Sequence, residues 1–252
     1  MMIHGLTINE LVIGEGVPVV MLHGWGASSE LLKPLGERLA PLGFRVYMPD
    51  LPGFGNSDAP PIPWTIYDYV DFVLAYFDHH GLDQVHLFGH SFGGRLGLIL
   101  GAEYGARIMK MTLADAAGLR PPTPLIPKIR LKAYKAIRQG LNNIGLRSIA
   151  ESLRGWYNNR YGSTDFNAVS GVMRQTFVQV VNEDLRQYAA RVRVPVLLIW
   201  GEADADTPLW MGQELEKLIP DAGLVVYPGA GHYSYLENLG QTVKAMQVLY
   251  AG

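Results

Sequence analysis

The feature that most constrains this chain is a recurring unit: a short run dominated by Val, Ile and Leu, then a segment whose apolar residues fall at helical spacing. The runs are Val17 to Leu22, Arg45 to Met48, Val85 to Phe88, Ile108 to Leu113, Val194 to Trp200 and Leu224 to Tyr227. A strand that is apolar on both faces needs cover on both faces, and helices packed on either side of a parallel sheet provide it. Helical spacing fills the gaps between the first four runs and between the last two. Ile66, Val70, Val73 and Phe77 follow the capping pair Thr65 and Asp68. Leu209, Leu215 and Leu218 follow Thr207-Pro208, which reads as a cap and first turn. The expected class is α/β: a mostly parallel central sheet flanked by helices, with Ile3 to Ile13 adding antiparallel strands at one edge.

The alternation breaks once. Between about Leu119 and Ala189 there is no strand-like run; Pro121, Pro122, Pro124 and Pro127 open a stretch of amphipathic helices. We read residues 119–189 as an all-helical insertion into one α/β core made of 1–118 and 190–252. Its charge differs from the rest: residues 119–188 hold 11 Lys/Arg against 4 Asp/Glu, while the remainder holds 10 against 19.

Composition removes several classes. With 48% hydrophobic residues and a net charge of −2, the chain is neither disordered nor a polycationic nucleic-acid binder. It has no Cys, so disulfides, thiolate metal sites and thiol nucleophiles are excluded. The most apolar stretch, Leu96 to Ala102, ends at Glu103 and is too short to span a bilayer. The N-terminus lacks the basic start, apolar stretch and cleavage site of a signal peptide, so a cytoplasmic protein is expected.

Any nucleophile must therefore be oxygen or nitrogen. Gly89-His90-Ser91-Phe92-Gly93-Gly94 lies between a strand-like run and a helix-compatible stretch. A GxSxG there turns sharply and lifts the serine hydroxyl above the carboxyl edge of the sheet. A hydroxyl needs a base, and the base an orienting acid. His232, in the glycine-rich loop after the run ending at Tyr227, is the best-placed histidine. His4 precedes the core, His79 and His80 end a helix, His86 is within a strand, and His23 and His90 flank glycines. For the acid, Asp204 and Asp206 both follow the run ending at Trp200; Asp206 reads as a helix cap, leaving Asp204 as the candidate. The order Ser, Asp, His, each on a loop after a successive strand, is the one expected for a triad on an α/β sheet. The backbone amides of Trp25, in His23-Gly24-Trp25-Gly26, and of Phe92 are the candidate oxyanion donors.

With these motifs in place, the sequence resembles the α/β-hydrolase family over nearly its whole length. His23-Gly24-Trp25-Gly26, Asp50-Leu51-Pro52-Gly53-Phe54-Gly55-Asn56-Ser57, Gly89 to Gly94, Gly201-Glu202-Ala203-Asp204 and Gly231-His232 match that family's successive motifs in order. The resemblance implies a helical cap at the position of the insertion, with Ser91 as nucleophile, His232 as base and Asp204 as acid. A serine at the elbow disfavours relatives with an Asp nucleophile. The expected activity is hydrolysis of small to medium carboxylic esters without metal or organic cofactor. The alternatives are lactone, thioester, amide, perhydrolysis or carbon–carbon chemistry on the same triad, or a non-catalytic ligand-binding protein on this scaffold.

In the insertion, Lys128, Lys132, Lys135 and Arg138 share one helical face, opposite Ile129, Ala133, Ala136 and Ile137, which are expected to pack inward. A basic cap would attract an anionic substrate or an acidic carrier, a combination that resembles carboxylesterases acting on carrier-bound methyl esters. Trp156, Tyr157, Tyr161, Phe166, Met173 and Phe177 supply apolar mass for packing, a few of them for an acyl pocket. Trp64 and Tyr67 are expected in the core.

Overall fold

The computed structural model describes residues 1–120, 125–161 and 168–251, with backbone alone at 125–129, 131 and 156–161. β1 (Met2–Ile3) and β2 (Leu6–Thr7) pair as a small antiparallel hairpin. In chain order there follow β3 (Glu10–Ile13), β4 (Val17–Leu22), α1 (Ser29–Leu39), β5 (Phe44–Pro49), α2 (Ile66–His79), β6 (Val85–His90), α3 (Phe92–Glu103) and β7 (Ile108–Ala114). Then come α4 (Leu125–Asn143), α5 (Arg147–Tyr161), α6 (Gly171–Val181) and α7 (Arg186–Ala189), before β8 (Val196–Gly201) restores the alternation. The chain ends with α8 (Trp210–Leu218), β9 (Ala222–Tyr227), α9 (Ser234–Glu237) and α10 (Leu239–Ala251).

Seven strands form the central sheet in the order β3-β5-β4-β6-β7-β8-β9; β3 is antiparallel to β5 and every other pair is parallel. The antiparallel edge expected from Ile3 to Ile13 is thus one strand, with β1 and β2 forming a separate sheet. Side chains alternate across the strands as the period of two requires. Val20, Leu22, Leu87 and Leu198 enter one buried cluster, with Tyr69, Phe72 and Leu96. Val19, Met21, Phe88 and Ile199 enter the other, with Leu32, Leu35 and Met246. The strand order reverses around β4, since β5 lies to one side of it and β6 to the other. Ligands of open α/β sheets collect in the crevice at such a switch point, above the carboxyl ends of the strands.

Helix starts follow the sequence unevenly. Thr65 and Asp68 form the expected capping box, the Asp68 carboxylate accepting from the Thr65 amide at 2.6 Å. Thr207-Pro208 does not cap α8: the N-cap is Leu209, with no side-chain hydrogen bond. The Thr207 hydroxyl points elsewhere, into the site described below. The expectation for α4 also fails in part. Lys132 and Lys135 are exposed, but so are Ala133, Ala136 and Ile137, the last at 58%. The physical reason is that α4 packs against α5 rather than against the sheet, so no core meets that face. Trp64 is buried, whereas Tyr67 is exposed and its hydroxyl contacts Tyr188 and Glu183, each at 3.0 Å. The readings that rest on Pro121, Pro122, Pro124 and the side chains of Pro127, Lys128, Ile129, Trp156, Tyr157, Tyr161 and Phe166 lie outside the described residues. Among the described residues, no helix is long and apolar enough to cross a membrane.

Candidate active site

Ser91 stands at the turn from β6 into α3 with φ +50° and ψ −106°, a conformation that a non-glycine residue holds only when its surroundings over-determine it. Here they do. The Ser91 amide donates to the Ala114 carbonyl at 3.1 Å, and its carbonyl accepts from Gly94 at 3.0 Å and Ala117 at 3.0 Å. The flanking glycines have a steric reason: a Cβ on Gly89 would lie 2.6 Å from the Gly93 carbonyl oxygen, and one on Gly93 would lie 2.2 Å from that of Leu22.

The loop after β9 brings the His232 ring to this serine. Ser91 Oγ donates to His232 Nε2 at 3.0 Å, and His232 Nδ1 donates to Asp204 Oδ2 at 2.8 Å. Residues 91, 204 and 232, placed far apart in the chain, therefore form one continuous hydrogen-bonded line. Asp204 is fully engaged. Its Oδ1 accepts from the amides of Asp206 at 2.8 Å and Thr207 at 3.0 Å, and its Oδ2 also accepts from the Thr207 hydroxyl at 2.6 Å. Asp206 is exposed at the cavity rim and neither caps α8 nor bonds the imidazole.

These contacts set the protonation states. Burial pushes the Asp204 carboxyl up, but the hydrogen bonds from His232 and Thr207 outweigh it and hold the pKa below the ordinary carboxylate value. Burial pushes His232 down, yet its hydrogen bond to Asp204 and the charges of Asp204, Asp115 and Asp206 raise the net pKa above the ordinary imidazole value. His90 and His23 stay neutral at pH 7, lowered by burial to about 3 and about 4 respectively. Both serve as braces: His90 Nε2 donates to the His232 carbonyl at 2.8 Å, while His23 donates to Gly24 at 2.8 Å and accepts from the Leu51 amide at 2.9 Å.

Trp25 and Phe92 sit at the ends of adjacent strands, β4 and β6, whose register pairs Leu22 with Gly89. Neither backbone N–H has an acceptor among the described residues. Both residues line a cavity of about 490 Å³ with Ser91 and His232. Phe177 and Val180 of α6 form part of its wall, with Leu119 and Met211. Met173 packs on the core beside Gly53 instead. Among the described residues, the acidic and imidazole atoms close enough together to hold a cation belong to Asp204, Asp206 and His232, and two of these already bond each other.

The roles of two residues at the site escaped the sequence reading. Asp115, at the carboxyl end of β7 with φ +46°, ties both loops together. Its Oδ1 accepts from the Gly201 amide at 2.8 Å, and its Oδ2 accepts from the Ser234 amide at 3.1 Å and the Ser234 hydroxyl at 2.6 Å. Burial raises its carboxyl to about 7, with those donors opposing. The available signal was a carboxylate ending the strand beside the serine strand. Thr207 is the second, its hydroxyl also reaching the Asp115 carbonyl at 3.0 Å and His232 Nδ1 at 3.3 Å. Thr207→Val keeps the shape but strips a buried acceptor of its donor, costing about 1–3 kcal/mol, or roughly 2–10 °C in Tm at this chain length. Thr207→Ser should retain most of the stability. Equal losses in both variants, read by thermal denaturation, would show that the methyl group rather than the hydroxyl matters.

A serine on a strained strand-to-helix turn, hydrogen-bonded to an imidazole and through it to a carboxylate, at the rim of a mostly parallel sheet, defines a hydrolase of the α/β class. The chain belongs to the alpha/beta hydrolase family, whose family model matches residues 19–245. It is 30% identical to the AB hydrolase superfamily protein YisY of Bacillus subtilis, over 90% of this chain and 88% of that protein. It is 29% identical to a 2-hydroxy-6-oxo-6-phenylhexa-2,4-dienoate hydrolase of Burkholderia cepacia, over 89% of this chain and 84% of the relative. A pimeloyl-[acyl-carrier protein] methyl ester esterase of Chromobacterium violaceum is 27% identical, with coverage of 93% and 94%.

Proposed function

We propose that the chain is a serine esterase that hydrolyses carboxylic esters of small to medium acyl chain through an acyl-enzyme intermediate. The observation that carries this reading is the unbroken Ser91–His232–Asp204 line, whose Ser91 and His232 line one cavity with Trp25 and Phe92, two residues whose amides have no acceptor among the described residues. His232 Nε2 takes the Ser91 hydroxyl proton as Oγ attacks the ester carbonyl. The Trp25 and Phe92 N–H groups receive the charge that develops on the carbonyl oxygen, and Asp204 holds the imidazolium in place. His232 then protonates the departing alkoxide. Water, deprotonated by the same nitrogen, attacks the acyl-enzyme, and the proton returns to Ser91 Oγ as the acid leaves. No step requires a metal or an organic cofactor.

Residues 119–189 act as a cap on the core, a reading supported by the α6 side chains in the cavity wall. Exposed Lys132 and Lys135 support the attraction of an anionic substrate or an acidic carrier to that cap. The Chromobacterium relative favours ester chemistry; the Burkholderia relative favours a second reading, hydrolysis of a dienoate on the same residues. The test is labelling with a fluorophosphonate, followed by turnover of p-nitrophenyl esters of increasing acyl length. The expected outcome is one covalent adduct at Ser91 and an optimum at short to medium chains. No adduct would remove the enzyme reading, and an adduct without ester turnover would favour the dienoate one.

A further inference from the structure

Arg95 lies one turn along α3 from Ser91, and residues four apart share a helix face. It is only 5% exposed, yet it lines the same cavity as Ser91 and His232. A guanidinium carries five N–H donors. Among the described residues one of them is used, Nη2 donating to the Glu183 backbone carbonyl at 2.6 Å. Its Nε is buried with no acceptor. Nor does a carboxylate among the described residues pair with it: the Glu183 side chain accepts from the Tyr67 hydroxyl at 3.0 Å, and that of Asp184 is taken by Arg186. Burial lowers its pKa to about 10; the more distant charges of Glu183 and Asp184 oppose this and that of Arg120 adds to it, so the group remains cationic at neutral pH.

A buried charge without a counter-ion is one of the more expensive arrangements in a protein interior. A purely structural tie to one carbonyl needs only a neutral donor such as Gln. A cation with spare donors on a cavity wall is instead half of a salt bridge, and charge-assisted bonds of this kind are the strong ones. Trp25 lines the same cavity, and its indole N–H is likewise buried without an acceptor among the described residues. The geometry points to an anion subsite: Arg95 binds a second, unesterified carboxylate of the substrate, making carboxylate-bearing esters the preferred class. This rests on the ester-hydrolase reading and narrows it.

The test compares p-nitrophenyl monoesters of diacids of increasing length with p-nitrophenyl esters of the matching monoacids; a second arm places the carboxylate on the alcohol side. For at least one length, kcat/KM should favour the charged ester about 10- to 100-fold. Arg95→Gln should remove most of that preference through KM, and Arg95→Lys should restore part of it. A wild-type enzyme indifferent to the carboxylate, or Arg95→Gln lowering both esters equally, would overturn the proposal. Should Arg95→Gln fail to fold, calorimetric binding of adipate against hexanoate to the wild-type protein decides, and equal affinities reject the subsite. Failure of the esterase reading looks different: no turnover of either ester and no fluorophosphonate adduct, with adipate binding still measurable.

Discussion

Ser91→Ala is expected to lower kcat/KM for a p-nitrophenyl ester by about 10⁴- to 10⁶-fold, with a Tm close to that of the parent chain. The loss is large because the substitution deletes the attacking atom itself. With no Oγ there is no acyl-enzyme, and what survives is the modest rate that donors and cavity give to direct attack by water. The small effect on folding has a separate cause. The Ser91 hydroxyl has its hydrogen bond with His232 Nε2, whereas the strained backbone is held by amide and carbonyl contacts that alanine keeps. A positive φ burdens both residues alike. Steady-state kinetics with melting curves separate the two effects. Retention of more than about a tenth of the activity in a folded variant would move the nucleophile to another residue.

Asp204→Asn is expected to lower kcat/KM by about 10³- to 10⁴-fold, while Asp206→Asn stays within about threefold, as for an exposed substitution. The asymmetry follows from contacts. Asp204 Oδ2 faces His232 Nδ1 at 2.8 Å, so an amide there either repels the ring N–H or selects the wrong tautomer. Asp206 offers its backbone N–H to Asp204 and leaves its carboxylate at the exposed rim. The pH profile adds an independent check. A general base works when neutral, so activity rises as pH passes upward through the His232 pKa. Burial lowers that pKa but the Asp204 bond and charge raise it further, which places the acid limb above the ordinary value of 6.5. Removing the Asp204 charge leaves burial less opposed, so the limb of Asp204→Asn should move to lower pH. The reverse ranking of the two variants, or an acid limb that does not move, would show that Asp204 is not the orienting carboxylate.

The sheet was legible because its strands are buried on both faces and so write themselves as unbroken apolar runs: β4 begins and ends where its run does. The Thr65–Asp68 capping box was legible because it is a contact within four residues. Local rules failed where a distant partner outbid them. Thr207 carries the residue type of a cap, but its hydroxyl is turned to the Asp115 carbonyl at the end of β7, as well as to Asp204 in its own loop. The inward face expected of α4 failed for the opposite reason: periodicity says that a helix has an apolar side, not that a core is waiting for it.

Residue types and their order along the chain were enough to define an α/β sheet, to put a serine on its turn, and to nominate an imidazole and a carboxylate on later loops. Such information is local, written in side-chain period, glycine spacing and chain order. Folding alone decided that Ser91, His232 and Asp204 lie within hydrogen-bonding distance, that Asp115 and Thr207 join the loops carrying them, and that Arg95 lines the cavity with no carboxylate paired to it among the described residues. Those are distances between segments up to about 140 residues apart, fixed by strand register and packing, and no local pattern encodes them.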